Sequence, residues 1–258
     1  MKQFKSLEDQ INYLQDYKNI YFNNSKISEN TLLDSNYYNL VSCSKIKFAQ
    51  SIEKGKHVYN KHSFQEWHEY FLTDCKVSEY LMGNLIEFER IINSRTAYYI
   101  GELINTQKLG NREYNEVVQL IQDAEIKNLP DYLGEETWKY ISKMTFGELK
   151  RLLFWLIDHK GETFNSIVSG YPYLRGHNVK DRLNDIVQLR NFIFHFTPIN
   201  IYLAYAYRHN GELDNTYRKA TIRFIYKLNP DNGDIRESMK DIFQCSDNFI
   251  KIKKQSTE

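Results

Sequence analysis

The segment Arg190-Asn191-Phe192-Ile193-Phe194-His195 puts a permanently charged guanidinium, a side-chain amide and an imidazole into one short, otherwise apolar stretch. That set suits chemistry on an anion. The guanidinium is a fixed cation with a planar fork of donors, and imidazole is the side chain whose ordinary pKa lies nearest neutrality, so it can move a proton. On a helix, Asn191 and His195 lie four apart and share a face, whereas Arg190 reaches the same place only through its long side chain. With eleven arginines and seven histidines in the chain, Arg and His at this spacing arise by chance about 0.3 times. Requiring asparagine directly after the arginine lowers the expectation to about 0.03, so the triplet is far more specific than the pair. Burying three such groups on an apolar helix is costly unless they serve a site or are fully paired. A structural reading competes, with Arg190 paired to an acid such as Asp185 and His195 a satisfied core histidine.

Other chemistry-bearing residues are more scattered. His57, His62 and His68 have no spacing that sets two ligands on one helical turn, so no metal site is expected. Cys43, Cys75 and Cys245 are odd in number, far apart and without paired spacing, and are read as structural thiols. No P-loop or dinucleotide fingerprint occurs, so no cofactor is called for. The 20 tyrosines and 15 phenylalanines can stack bases, but at helical spacing aromatic side chains mostly fill cores.

The elements that must position the Arg-Asn-His segment are helical, because spacings of three and four dominate and clear alternation is scarce. Ser6 with Asp9 caps a first helix carrying Leu7, Ile11 and Leu14. Helices are expected over Asn30 to Asp34 and Tyr37 to Gln50, with a loop at Lys54-Gly55-Lys56. Ser63 and Glu66 form a capping box opening the longest helical region, whose stripe Leu81, Leu85, Phe88 and Ile92 continues to about Thr106. A helix from Arg112 to Lys127 is expected before Pro130. Thr145 and Glu148 cap a strongly apolar helix reaching His159 and ended by Gly161. After the turn Gly170-Tyr171-Pro172, a helix over His177 to Phe196 carries the triplet. Thr197 is then expected to end it and to cap the next helix, which carries Ile201, Tyr202, Leu203 and Tyr205. A further helix spans Asn215 to Leu228, Asn229 to Gly233 form a turn, and a lysine-rich tail frays.

Composition narrows the function classes. With 258 residues and 41% hydrophobic content the chain can bury a substantial core, which excludes a disordered linker. Its longest apolar run, Leu152 to Ile157, is far short of the ~20 residues a helical span requires, so no membrane partner is expected. Met1-Lys2-Gln3-Phe4-Lys5 reaches polar residues at once, which makes a cytoplasmic location the expectation. The net charge of +1 conceals a division: residues 151 to 230 carry eleven Lys and Arg against six Asp and Glu. That segment also holds His159, His177, His195 and His209, and a polyanion could dock there, although a modest excess also fits a solvated face.

The Arg190-Asn191-x-x-x-His195 segment resembles the signature of the HEPN ribonuclease superfamily. More of the chain is similar to one branch of it, the bacterial abortive-infection proteins of the AbiD and AbiF type. The resemblance rests on Leu7-Glu8-Asp9-Gln10-Ile11, then Asn36-Tyr37-Tyr38-Asn39-Leu40, then Phe88-Glu89-Arg90-Ile91-Ile92 with Arg95, and Met144-Thr145-Phe146-Gly147-Glu148-Leu149, in that order between about residues 7 and 200. The family often has polar residues directly after the histidine, where this chain has Phe196-Thr197-Pro198.

This resemblance implies an all-α protein containing an antiparallel HEPN-like helical bundle with additional N-terminal helices. The expected division is an N-terminal helical segment over 1–73, a core over 74–230, and a C-terminal helix and tail over 231–258. It also implies a metal-independent endoribonuclease acting in phage defence as a toxin, restrained by an antitoxin that could be a small RNA. His195 would be general base or acid, Arg190 would clamp phosphate oxygens, and Asn191 would orient His195 or contact phosphate. Because one histidine does not readily serve as base and acid in one concerted step, a homodimer with a composite cleft is implied. Arg175, His177, Lys180 and Arg182 are the candidate RNA contacts, with a plain solvated helix start as the equal alternative. A non-catalytic RNA-binding or complex-assembly module is the alternative function. A DNA-binding repressor gains little, because no helix-turn-helix with a basic recognition helix is found.

Overall fold

The computed structural model describes residues 6–124, 136–204, 214–230 and 233–256. Among them twelve α-helices dominate, as the spacing of apolar residues requires, and strands are short. The chain forms two compact units, residues 1–82 with 191–258, and residues 83–190. This division differs from the three segments expected from sequence. The C-terminal helix packs with N-terminal elements, and two helices continue through the unit boundaries.

The first unit contains α1 (Leu7–Lys18), β1 (Ile20–Tyr21), α2 (Ser25–Asp34), α3 (Tyr37–Phe48), β2 (Ala49–Glu53), β3 (Lys56–Tyr59), β4 (His62–Ser63) and the start of α4 (Phe64–Asn105). Ser6 and Ser63 both form the reciprocal capping interactions expected of them, with Asp9 and Glu66. Helix α3 ends at Phe48 rather than Gln50, because Ala49–Glu53 pairs antiparallel with Lys56–Tyr59. The expected loop at Lys54-Gly55 is the two-residue turn of that hairpin, and its positive φ values of 49° and 76° match the right-handed twist of the strands. β1 pairs with β4 in parallel. Leu14, Leu40, Cys43, Ile46, Trp67 and Phe249 are fully or almost fully buried in this unit's core.

The same unit is completed by the end of α9 (Val179–Phe194), α10 (Ile199–Ala204), α11 (Thr216–Tyr226) and α12 (Gly233–Gln255). The expected C-terminal helix is α12, and the last two residues of the expected tail lie outside the described residues. Ile235, Met239, Ile242, Phe243, Phe249 and Ile250 give α12 a buried stripe while Lys240, Lys251 and Lys254 face outward, and the helix holds to Gln255. The second unit holds the rest of α4, α5 (Asn111–Gln122), α6 (Thr137–Ile141), α7 (Phe146–His159), α8 (Gly161–Ile167) and most of α9. Thr145 and Glu148 cap α7 as expected, and Leu149, Leu152, Leu153 and Leu156 are completely buried. Gly161 opens α8 directly after α7. The expected helix end near Lys127 and Pro130, the residue Tyr205, and part of the turn at Asn229 to Gly233 lie outside the described residues.

Thr197 does not cap α10. Asp74 does so from α4: its two carboxylate oxygens accept from the backbone amides of Ile199 at 2.8 Å and Asn200 at 2.9 Å. Cys43 and Ser78 also hydrogen-bond to this carboxylate, which is fully buried. Burial raises its pKa to about 6 and outweighs the amides of Asn200 and Ile199, which act in the opposite direction. Since this lies above the ordinary value of 3.8, the contribution of Asp74 to stability is fully present below that value and is lost as pH rises through about 6. Urea unfolding should therefore show wild type gaining on Asp74→Asn by up to about 3 kcal/mol between pH 7.5 and 4. Parallel stability curves for the two proteins would contradict this.

Candidate functional site

The end of α9 is built by its backbone. The Phe196 amide donates to the Ile193 carbonyl at 3.0 Å and the Thr197 amide to the Phe192 carbonyl at 2.9 Å, the paired bonds of a Schellman termination. His195 is therefore the capping residue, and Phe196 occupies the left-handed position with φ of 54° where glycine is usual. The His195 amide still bonds the Asn191 carbonyl at 3.0 Å, so these two residues share a helical face one turn apart. Both are exposed. They are not core groups, so neither the burial cost anticipated for them nor the satisfied-core-histidine reading applies. Phe196 is 78% exposed, higher than any other large apolar side chain among the described residues.

Two side chains fix the turn after His195. Asn39 of α3 donates its side-chain amide to the Phe196 carbonyl at 2.8 Å, and Asp74 holds the amides at 199 and 200. Asn36 caps α3 through the Tyr38 amide and so sets the start of the helix carrying Asn39. A sequence reading misses both anchors, because they lie 157 and 125 residues from their partners. Asn39 belongs to the Asn36-to-Leu40 motif, which was the one available signal.

Arg190 immediately precedes Asn191 on α9 and is half-buried. Its Nε donates to Glu89 of α4 at 3.4 Å, with side-chain exposures of 27% and 21%. An acid for Arg190 was foreseen, with Asp185 as the example; Glu89, from the Phe88-to-Ile92 motif, supplies one. Arg95, in the same stretch, donates to the carbonyls of Ile167 at 3.0 Å and Ser169 at 2.6 Å, tying α4 to the end of α8.

The four candidate nucleic-acid contacts divide into two pairs. Arg175 and His177 are exposed. Lys180 is held by both carboxylate oxygens of Asp158 at 2.6 Å, and Arg182 donates to the carbonyls of Tyr173 at 2.6 Å and Arg175 at 3.1 Å. Arg182 thus braces the turn that precedes α9, and phosphate binding at Lys180 would compete with Asp158.

Among the described residues the other histidines and the cysteines do not gather into a metal-binding group. Burial raises the Cys43 thiol well above its usual value and pushes Cys75 and Cys245 up to about 11, which disfavours the thiolate each would need as a nucleophile. His62 pairs with Glu66 at 3.6 Å, while His57 stacks on Phe249 and His68 on Phe64. Among the described residues no group of three His, Cys, Asp or Glu side chains is arranged to hold a metal ion.

Glycine suits the left-handed position that Phe196 occupies, so Phe196→Gly should raise stability by roughly 1 kcal/mol, less a few tenths for the more flexible unfolded chain. Asn39→Ala should lower it by about 1 kcal/mol through the lost hydrogen bond. Urea midpoints decide both, and a destabilised Phe196→Gly would show that the ring is needed for packing. Comparison of the chain with known protein families, with characterised proteins and with solved structures returns no match.

Proposed function

We propose that this chain is a metal-independent endoribonuclease of the HEPN type, acting as a toxin in phage defence. The observation that carries this reading is the exposed end of α9, where His195 caps the helix and Asn191 sits one turn before it on the same face. RNA supplies its own nucleophile. A base takes the proton of a 2′-hydroxyl, the freed oxygen attacks the adjoining phosphorus, the bond to the 5′-oxygen breaks, and an acid protonates that leaving oxygen. His195 is assigned the proton transfer, Arg190 the phosphate oxygens and Asn191 the orientation of His195 or a further phosphate contact. The products are a 2′,3′-cyclic phosphate and a 5′-hydroxyl.

In this reading the Arg190 guanidinium exchanges Glu89 for phosphate when substrate arrives. At 3.4 Å the pair is long, which favours the exchange. The HEPN-like bundle, the homodimer and an antitoxin, for which a small RNA is the candidate, complete the proposal, and a dimer presents two copies of His195, one as base and one as acid. The Arg190–Glu89 pair also favours a second reading, a non-catalytic RNA-binding or assembly module in which Arg190 serves structure alone.

Purified protein freed of nucleic acid and given a mixed pool of cellular RNA in EDTA should cleave it to cyclic phosphate ends. Arg190→Ala and His195→Ala should each lower the rate by at least about 100-fold. Equal behaviour of all three proteins, with RNA still bound, would support the module instead. Specific activity should also fall on dilution in step with dissociation of the dimer, followed by light scattering. Full activity in a monomer would overturn the composite site.

A further inference from the structure

Phe196 is out of place on two counts. Its φ of 54° lies in the left-handed region, and the other non-glycine residues found there among the described residues, Asn19, Asn36, Lys54, Gln107 and Asn178, are all polar. A bulky apolar residue is strained at such a φ, whereas asparagine tolerates it. Burial of the ring could offset that strain, but the ring is 78% exposed, so the phenyl group adds little to folding at this position. The backbone, by contrast, is fixed at both polar atoms. The Phe196 amide donates to the Ile193 carbonyl at 3.0 Å, and the Phe196 carbonyl accepts from the Asn39 side chain at 2.8 Å. The ring is thereby presented to solvent from a defined point, one residue beyond His195 and so about 3.8 Å away between Cα atoms.

From this placement we propose that the Phe196 ring is the stacking platform for one base of the RNA strand whose phosphate meets His195. The inference rests on the ribonuclease reading above and extends its site from phosphate to base. A strained backbone that carries an exposed ring points to a contact outside the chain. The surroundings decide the kind of contact. Asn191 and His195, the exposed residues just before Phe196, are polar, while Pro198 and Ile199 are buried. A protein interface is built on a contiguous apolar patch, whereas a base offers a planar face with a polar rim, which one aromatic ring among polar groups matches. Every base has such a face, so the contact positions the strand without selecting its sequence.

The test uses the whole protein and a short single-stranded RNA of defined sequence whose 2′-hydroxyls are replaced by fluorine, so that it binds without a nucleophile. Phe196→Gly and Phe196→Leu should weaken binding roughly 5- to 100-fold, and Phe196→Tyr and Phe196→Trp should keep it. Glycine relieves the strained φ, so weaker binding by Phe196→Gly would not reflect unfolding. One abasic nucleotide moved along the strand should find a position where wild type loses the same factor and Phe196→Leu loses nothing further. Equal affinity of wild type and Phe196→Leu would overturn the proposal. If that equality came with dissociation of the Phe196→Leu dimer, seen by light scattering, the ring would belong to an interface between copies of the chain instead. Cleavage of natural RNA by wild type, with affinity and KM indifferent to Phe196, would sink this inference alone. Binding that Phe196→Leu weakens and Phe196→Tyr restores, with natural RNA left uncut by wild type, would keep the stacking and sink the ribonuclease reading alone.

Discussion

The buried carboxylate of Asp74 is the constraint on which the candidate site depends. Both of its oxygens are committed to the first amides of α10, so the chain leaving α9 must begin that helix four residues after His195. A carboxylate at a helix N-terminus is ordinarily favoured in its charged form, but full burial wins here and favours the proton. With its pKa raised to about 6, Asp74 is still mostly ionised near neutral pH and takes up its proton only in mildly acid solution. Asn200, next to it, donates to Tyr70 at 2.6 Å and extends the same network.

From that anchor the geometry around His195 follows. Pro198 begins the turn into α10 with a fixed φ, Asn39 holds the Phe196 carbonyl, and the Schellman bonds end α9 at His195. What remains is a left-handed phenylalanine, an unfavourable choice that hydrogen bonds on both sides sustain. His195 and Asn191 lie exposed at the end of α9, whose course these backbone bonds fix.

The helical elements were legible where their signals are local. Ser6 with Asp9, Ser63 with Glu66, and Thr145 with Glu148 cap helices across three residues, and a three-residue signal survives any tertiary context. The stripe Leu81, Leu85, Phe88 and Ile92 was legible for the same reason, and all four are buried. The hairpin at 49–59 was missed because strands of five and four residues give too little alternation to stand out beside a helix. Thr197 was given a role that Asp74 performs, since a cap from 125 residues away leaves no local trace.

The candidate site divides along the same line. Asn191 and His195 were placed on one face by helical spacing alone, whereas the meeting of Glu89 with Arg190, and separately that of Asn39 with the Phe196 carbonyl, exists only in three dimensions. Segment charge counts pointed to 151–230, yet Lys180 and Arg182 there are held by Asp158 and by backbone carbonyls. The central claim is that RNA provides its own nucleophile at the end of α9. Its most direct test compares an RNA oligonucleotide with the same sequence carrying 2′-deoxyribose throughout, incubated with wild-type protein in EDTA, with product ends read by mass spectrometry. Cleavage of the ribose strand alone, leaving 2′,3′-cyclic phosphate, is the predicted result. Cleavage of both strands, or of neither, would contradict it.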